Sequence, residues 1–301
     1  MKLSKILIAM LLVGLVSGCH VFFSAPENTE TTTGDTSSTV QPSVDGLTLD
    51  AFKNLSFYSP ALEKEVALNN GKYESGSGEN YESLQLLDTA GFGDLNGDGS
   101  ADAAVLLAEN TGGSGVFVYL VALVKQVDGY SQSTPLLIDD RPQIDSLTIE
   151  NNHIRLEGKI HGMADAMANP TMQVVAEYQL TQSKLTLTNL VSTISSAQRS
   201  ISLSAPSDFS EVGSTFSVTG SMPIGPFENT LVYRFYDAAG NMLIEAPLMV
   251  ESDGVGGPAT INASINVPTA TAGSTLIFTL SEQSMANGAD LCLASVNLIV
   301  K

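Results

Sequence analysis

Tryptophan is absent, cysteine occurs only at Cys19 and Cys292, and 13 Lys and Arg face 32 Asp and Glu. Two cysteines exclude the disulfide framework that staples many small secreted domains. A formal net charge of −19 repels phosphate backbones and anionic headgroups. Nucleic acid is therefore not an expected partner, and neither is electrostatic docking on a membrane. Gly-x-Ser-x-Gly does not occur, which removes the usual serine-hydrolase elbow. His153 and His161 stand apart with no HExxH pattern, so zinc catalysis is not expected. The Gly-Gly-Ser-Gly stretch at 112–115 lacks the Gly-Lys-Ser/Thr of a phosphate loop and reads as a hairpin turn. Asp139-Asp140-Arg141 reads as a solvated turn with Arg141 pairing locally. No catalytic constellation is legible, and a non-enzyme is expected.

The N-terminus has a different character. Lys2 and Lys5 precede an apolar run at 6–16, which ends in Leu15-Val16-Ser17-Gly18-Cys19. The run is too short for a permanent transmembrane helix and has the form of a signal segment. Small residues before a Cys resemble the lipobox of bacterial lipoproteins. The resemblance implies cleavage after residue 18 and a diacylglycerol thioether on Cys19. Acyl chains such as palmitate would then hold the protein on a membrane of the cell envelope. His20 follows the Cys, where an Asp would mark inner-membrane retention in Gram-negative lipoproteins. An outward-facing or periplasmic position, on the outer membrane if there is one, is expected. Losing 1–18 removes two lysines and no acid, which takes the charge from −19 to about −21. Residues 19–46 are rich in Thr, Ser, Pro, Glu and Asp and are expected to form a disordered tether. As a coil it spans on the order of 25 Å. If Cys19 is lipidated, Cys292 has no partner and reads as a buried small hydrophobe.

The stretch that stands out is Gly93-Asp94-Leu95-Asn96-Gly97-Asp98-Gly99-Ser100-Ala101-Asp102. Oxygen-bearing side chains alternate at Asp94, Asn96 and Asp98, Gly99 allows a sharp turn, and Asp102 closes the ninth position. Ca²⁺ takes about six to eight hard oxygen ligands, and alternate residues of a tight loop supply them. Asp94, Asn96, Asp98 and Asp102 would offer side-chain oxygens and Ser100 its carbonyl. An EF-hand needs Glu at the twelfth position, where Val105 stands. The loop instead resembles the calcium loop of integrin-type propeller repeats, which closes on a ninth-position Asp and runs into a strand. With a single copy, a propeller is not expected. A structural Ca²⁺, held at about 10⁻⁴–10⁻³ M, is the expected cofactor.

Alternation of apolar and polar residues places the strands. Residues 48–57 could make a short helix capped by Thr48 or Asp50. The apolar runs 103–108 and 116–127 read as a central hairpin. Shorter strands follow at 144–149, 153–157 and 173–180, and 184–190 closes this half. Beyond 200, strands are expected at 201–204, 215–219, 230–236, 242–245, 259–267, 275–280 and 295–300. Seven short strands in about a hundred residues argue an immunoglobulin-type sandwich, without the Cys–Trp–Cys signature of antibody domains. The expected fold is mainly β. An N-terminal α+β or β-rich domain at 47–190 carries the hairpin, 191–199 is a linker, and 200–301 is an immunoglobulin-like β-sandwich.

The second half holds Ile201-Ser202-Leu203-Ser204-Ala205-Pro206, then Phe216-Ser217-Val218-Thr219-Gly220-Ser221 and Tyr236-Asp237-Ala238-Ala239-Gly240. It resembles the immunoglobulin-like domain of bacterial sporulation and spore-germination proteins. That resemblance implies an extracellular binding or adhesion module without catalytic residues. The first half resembles an uncharacterised domain of bacterial lipoproteins through 93–99, 112–115 and Asp140-Arg141. A Cys pair of that domain is replaced here by Ala168 and Asn169. The expected function is a lipid-anchored, calcium-stabilised envelope protein, a non-catalytic binding, adhesion or scaffold module. Its partners would be peptidoglycan, polysaccharide or another envelope protein. The alternative is an envelope hydrolase using carboxylates of the first half, which would need two of them facing across a cleft.

Overall fold

A computed structural model describes residues 46–254 and 256–301 of the protein. The signal segment 1–18, Cys19 and the tether as far as 45 lie outside the described residues. Among the described residues there are 22 strands, three short 3₁₀ turns and no α-helix. The protein is mainly β.

β1 (Ser56–Ser59) and β2 (Lys64–Ala67) pair as a two-stranded ribbon. β3 (Lys72–Ser75), β4 (Glu82–Gly93), β5 (Asp102–Asn110), β6 (Phe117–Gln126) and β7 (Gly129–Gln132) follow in that order in a second sheet. β8 (Leu136–Asp140) pairs with the far end of β6. The expected hairpin is β5 and β6, in register from Ala103↔Leu123 to Glu109↔Phe117. Both faces of this hairpin are covered. Ala103, Val105, Leu107, Val121 and Leu123 pack under the ribbon with Phe52 and Phe57. Ala104, Leu106, Leu120 and Ala122 face the next sheet with Leu147, Ile154 and Leu156. A strand buried on both faces reads as an unbroken apolar run rather than an alternation, as these two do.

That next sheet begins with β9 (Gln143–Glu150), β10 (His153–Ile160), β11 (Met172–Thr181) and β12 (Lys184–Ile194), with β13 (Ala197–Arg199) on β12. Residues 191–199, expected as a linker, fall in β12, a turn with Ser195 and Ser196 at positive φ, and β13. The remaining strands are β14 (Ser202–Ala205), β15 (Ser210–Val212), β16 (Thr215–Met222), β17 (Thr230–Asp237), β18 (Met242–Met249), β19 (Glu251–Ser252), β20 (Ala259–Asn266), β21 (Thr275–Gln283) and β22 (Asp290–Val300). One sheet runs β14-β16-β20-β19. The other runs β18-β17-β21-β22, with β15 parallel to β22. This is the strand order of an immunoglobulin sandwich. In its core Phe278 packs against Phe216 at 5.3 Å and Phe235 at 5.2 Å between ring centroids. The second sheet does not stop at β22. Asn189↔Ala294 and Leu190↔Leu293 join β22 to β12, so one sheet runs from β18 to β9.

The expected helix at 48–57 is a single 3₁₀ turn, Leu49–Phe52, followed by β1, and Thr48 makes no side-chain cap. One turn suffices to bury Leu49 and Phe52, three residues apart. Phe57 lies five residues further on and would leave that helical face, so an extended strand delivers it to the same core.

Candidate functional site

The acidic loop is the connection of a hairpin. β4 and β5 close on the pair Gly93↔Asp102, and residues 94–101 bridge them. Strand β4 brings Gly93 hard against β9. A Cβ built there would sit 2.7 Å from Ile149 Cγ2. Within the bridge, Gly97 (φ +79°) and Gly99 (φ +82°) take the left-handed backbone that glycine tolerates best. Leu95 is buried in the core between the sheets and anchors the loop from within.

Polar side chains shape the rest. Asp94 Oδ1 accepts from the amides of Asn96 (3.1 Å) and Gly97 (2.7 Å), and Oδ2 from Gly99 (2.8 Å). Asn96 Oδ1 accepts from the amide of Asp98 (3.0 Å), and its Nδ2 donates to Asp98 Oδ2 (2.9 Å). Asp98 Oδ1 accepts from the amide of Ser100 (2.7 Å). Bonds from Asn96 and Ser100 hold the Asp98 carboxyl below its ordinary range. Outside the loop, Asn152 Nδ2 donates to the Asp94 carbonyl at 3.1 Å.

Asp102 is different. It is fully buried. Its Oδ2 accepts from the Leu95 amide and its Oδ1 from the Lys125 amide, each at 2.8 Å. One carboxylate thus ties the loop, β5 and β6 together. Burial pushes its pKa up against the pull of the two amides, and the charges of Asp98 and Asp94 push the same way. The five predicted residues therefore occupy one hairpin end, with Asp94, Asn96 and Asp98 turned to the loop's own amides. Among the described residues no three His, Cys, Asp or Glu side chains gather into a group that could hold a metal ion. The donors on offer are nevertheless oxygens alone, the chemistry of a hard cation.

No protein-family model, curated protein or solved structure matches this chain.

A second polar region lies where β8 meets the end of β10. Asp139 Oδ2 accepts from His161 Nδ1 (2.9 Å) and from the His161 amide (2.6 Å). Asp140 is buried, not solvated as expected from sequence, because Val116 donates its amide to Oδ1 at 2.7 Å. Arg141 grips Asp140 at both oxygens, at 2.9 and 2.6 Å, the local pairing that was expected. Asp165 closes the turn after β10, accepting from the amides of Gly162 and Thr171 and from Thr171 Oγ1. Each carboxylate near His161 is thus engaged, and two facing each other across a cleft, as a hydrolase would need, are not found among them. The His161–Asp139 pair had no signal in the sequence, since Asp139 lies on β8 and His161 stands 22 positions away, just past the end of β10.

The Asp140 pair predicts a pH dependence. The Arg141 bond holds the Asp140 carboxyl below its ordinary 3.8. A depressed carboxyl stabilises the fold above its unfolded value, and that stability is lost as pH falls through the lower folded value. Thermal melts should show Asp140→Asn below the parent at pH 7, with the gap closing below about pH 3.8. A gap that stays constant to pH 2.5 would refute the pairing's contribution.

Two further predicted features fall into place. Residues 112–115 lie in the turn between β5 and β6, as expected. Cys292, on β22, is fully buried with Sγ 3.7 Å from Glu282 Oε2. Burial, reinforced by the Glu282 charge, pushes its thiol pKa far up, so it is not a thiolate nucleophile.

Proposed function

We propose that this protein is a non-catalytic binding or scaffold module of the cell envelope, anchored through a lipid on Cys19 and braced by Ca²⁺ in the loop 94–102. The observation that carries the reading is the immunoglobulin strand order of the C-terminal half, an architecture that recurs in cell-surface domains. The oxygen-only loop adds to it. Asp94, Asn96, Asp98 and Asp102 would supply side-chain oxygens to the cation and Ser100 its carbonyl. The cation would offset the mutual repulsion of three acids and hold the hairpin end in one shape. Peptidoglycan or polysaccharide is the envelope material to which the module would attach.

The test uses the full-length protein, stripped with EDTA and then titrated with Ca²⁺. A site of about 10⁻⁴–10⁻³ M in 10 mM Ca²⁺ stabilises by roughly 1.4–2.7 kcal/mol. For a chain of this size that is a melting temperature rise of roughly 3–10 °C. Asp98→Ala should remove the rise. In the same preparations, co-sedimentation with peptidoglycan and envelope polysaccharide should be strongest with Ca²⁺. No thermal shift would sink the calcium reading. No binding to any envelope fraction would sink the module's proposed role.

A further inference from the structure

A cavity of about 420 Å³ opens where the turn after β10, the β12–β13 turn and the β21–β22 turn converge. Its size falls within the roughly 300–1,000 Å³ typical of small-ligand pockets. Met172, Ile194 and Leu291 give it apolar walls, and Met163 stands on its edge. Three methionines on the converging turns are largely exposed: Met163 at 69%, Met167 at 69% and Met285 at 71%. Methionine is usually buried, and of these three Met163 lines the cavity, where a flexible thioether suits adaptable apolar contacts.

The polar groups of the wall narrow the ligand. Arg199 is paired with Glu282 at 2.5 Å, and Asp165 accepts three bonds from its own turn. The Arg199 charge is thus matched by Glu282, and both Asp165 oxygens already accept within their turn, so neither favours a charged ligand. His161 also lines the cavity, and its Nε2 is buried with no hydrogen-bond partner. Asp139 is an acceptor, so His161 Nδ1 donates to it, and in the neutral ring Nε2 is left with a lone pair. A buried acceptor without a partner costs about 1–3 kcal/mol, and a ligand's O–H or N–H would remove that cost.

We propose that this cavity binds a small, uncharged, mostly apolar molecule that donates one hydrogen bond to His161 Nε2. Nε2 is closed to solvent in the arrangement seen here, so the cavity wall beside it gives way for the ligand's N–H or O–H to reach it. The site shares no lining residue with the acidic loop.

The probe is N-phenyl-1-naphthylamine, a neutral aromatic amine with a single N–H that fluoresces on entering an apolar site. With the full-length protein at pH 8, one probe should bind per chain. Thr193→Trp places an indole in the cavity from a strand position and should abolish binding while the melting temperature stays near the parent's. His161→Leu should weaken the amine about tenfold, the loss of one hydrogen bond near 1.4 kcal/mol. The same variant should leave 1-benzylnaphthalene, which has no N–H, unchanged. Absence of saturable binding, or binding that survives Thr193→Trp, overturns the site. Equal weakening of both probes by His161→Leu, or of neither, overturns the hydrogen bond.

Discussion

Asp102→Ala is expected to lower the melting temperature of this protein by roughly 5–20 °C. Two backbone amides, those of Leu95 and Lys125, lose their only side-chain acceptor in a site shut off from water. Each orphaned buried donor costs about 1–3 kcal/mol. Two together cost about 2–6 kcal/mol, and a chain of this length shifts by about 2–4 °C per kcal/mol. Asp102→Asn should fall between, because its amide nitrogen cannot accept and only one of the two bonds survives. The loss should persist in EDTA, since it comes from amides and not from a cation. Asp98→Ala should cost little in EDTA, because Asp98 is exposed. Melts of both variants with and without Ca²⁺ separate the two roles. If Asp102→Ala melts with the parent in EDTA, the clasp described for Asp102 is wrong.

Arg199→Ala is the second large effect, a loss of about 3–5 kcal/mol. Arg199 on β13 reaches Glu282 on β21, whose carboxylate is almost wholly buried. Without the guanidinium, Glu282 keeps a buried charge with no counter-charge, next to the Cys292 thiol. The expected fall in melting temperature is roughly 6–20 °C. Removing both partners should be far milder, because a buried pair replaced by apolar side chains is often neutral or better. The Arg199→Met, Glu282→Leu double variant is therefore expected to melt close to the parent or above it. A double variant no more stable than Arg199→Ala would show that the guanidinium acts through packing and not through charge. The pair also fastens residues 191–199 to the sandwich, in a stretch that reads from sequence as a polar joint.

Part of the candidate site was legible and part was not. The spacing of Asp94, Asn96 and Asp98 was visible because an oxygen at every second residue is a local property. So was the need for glycine at 99. Strand β4, which leads into the loop, is not among the strands expected from the sequence. Its signal lay in the alternation of buried Leu84 and Leu86 with exposed Gln85, which breaks at the register shift between Leu86 and Ala90. What Asp102 does was not legible. It read as one ligand among five, and the reading gave no sign that its two oxygens also hold the amides of Leu95 and Lys125. Nor did the sequence hint that Asn152, in the β9–β10 turn, braces the Asp94 carbonyl.

By itself the sequence determined the class of the molecule, the position of most strands and which face of each looks inward. These follow from a period of two, and burial acts on every residue in the same way wherever its partner lies. Only the tertiary structure decided which strands are neighbours. Period and propensity leave the partner of an edge open, so nothing local joins β12 to β22 or carries one sheet from the sandwich into the first half. The same holds for His161 and Asp139, which meet because two sheets pack, and for the cavity beside them, which three turns from distant parts of the chain enclose. The acidic loop belongs to both levels. Local spacing set its chemistry, and the buried neighbours of Leu95 and Asp102 set its shape.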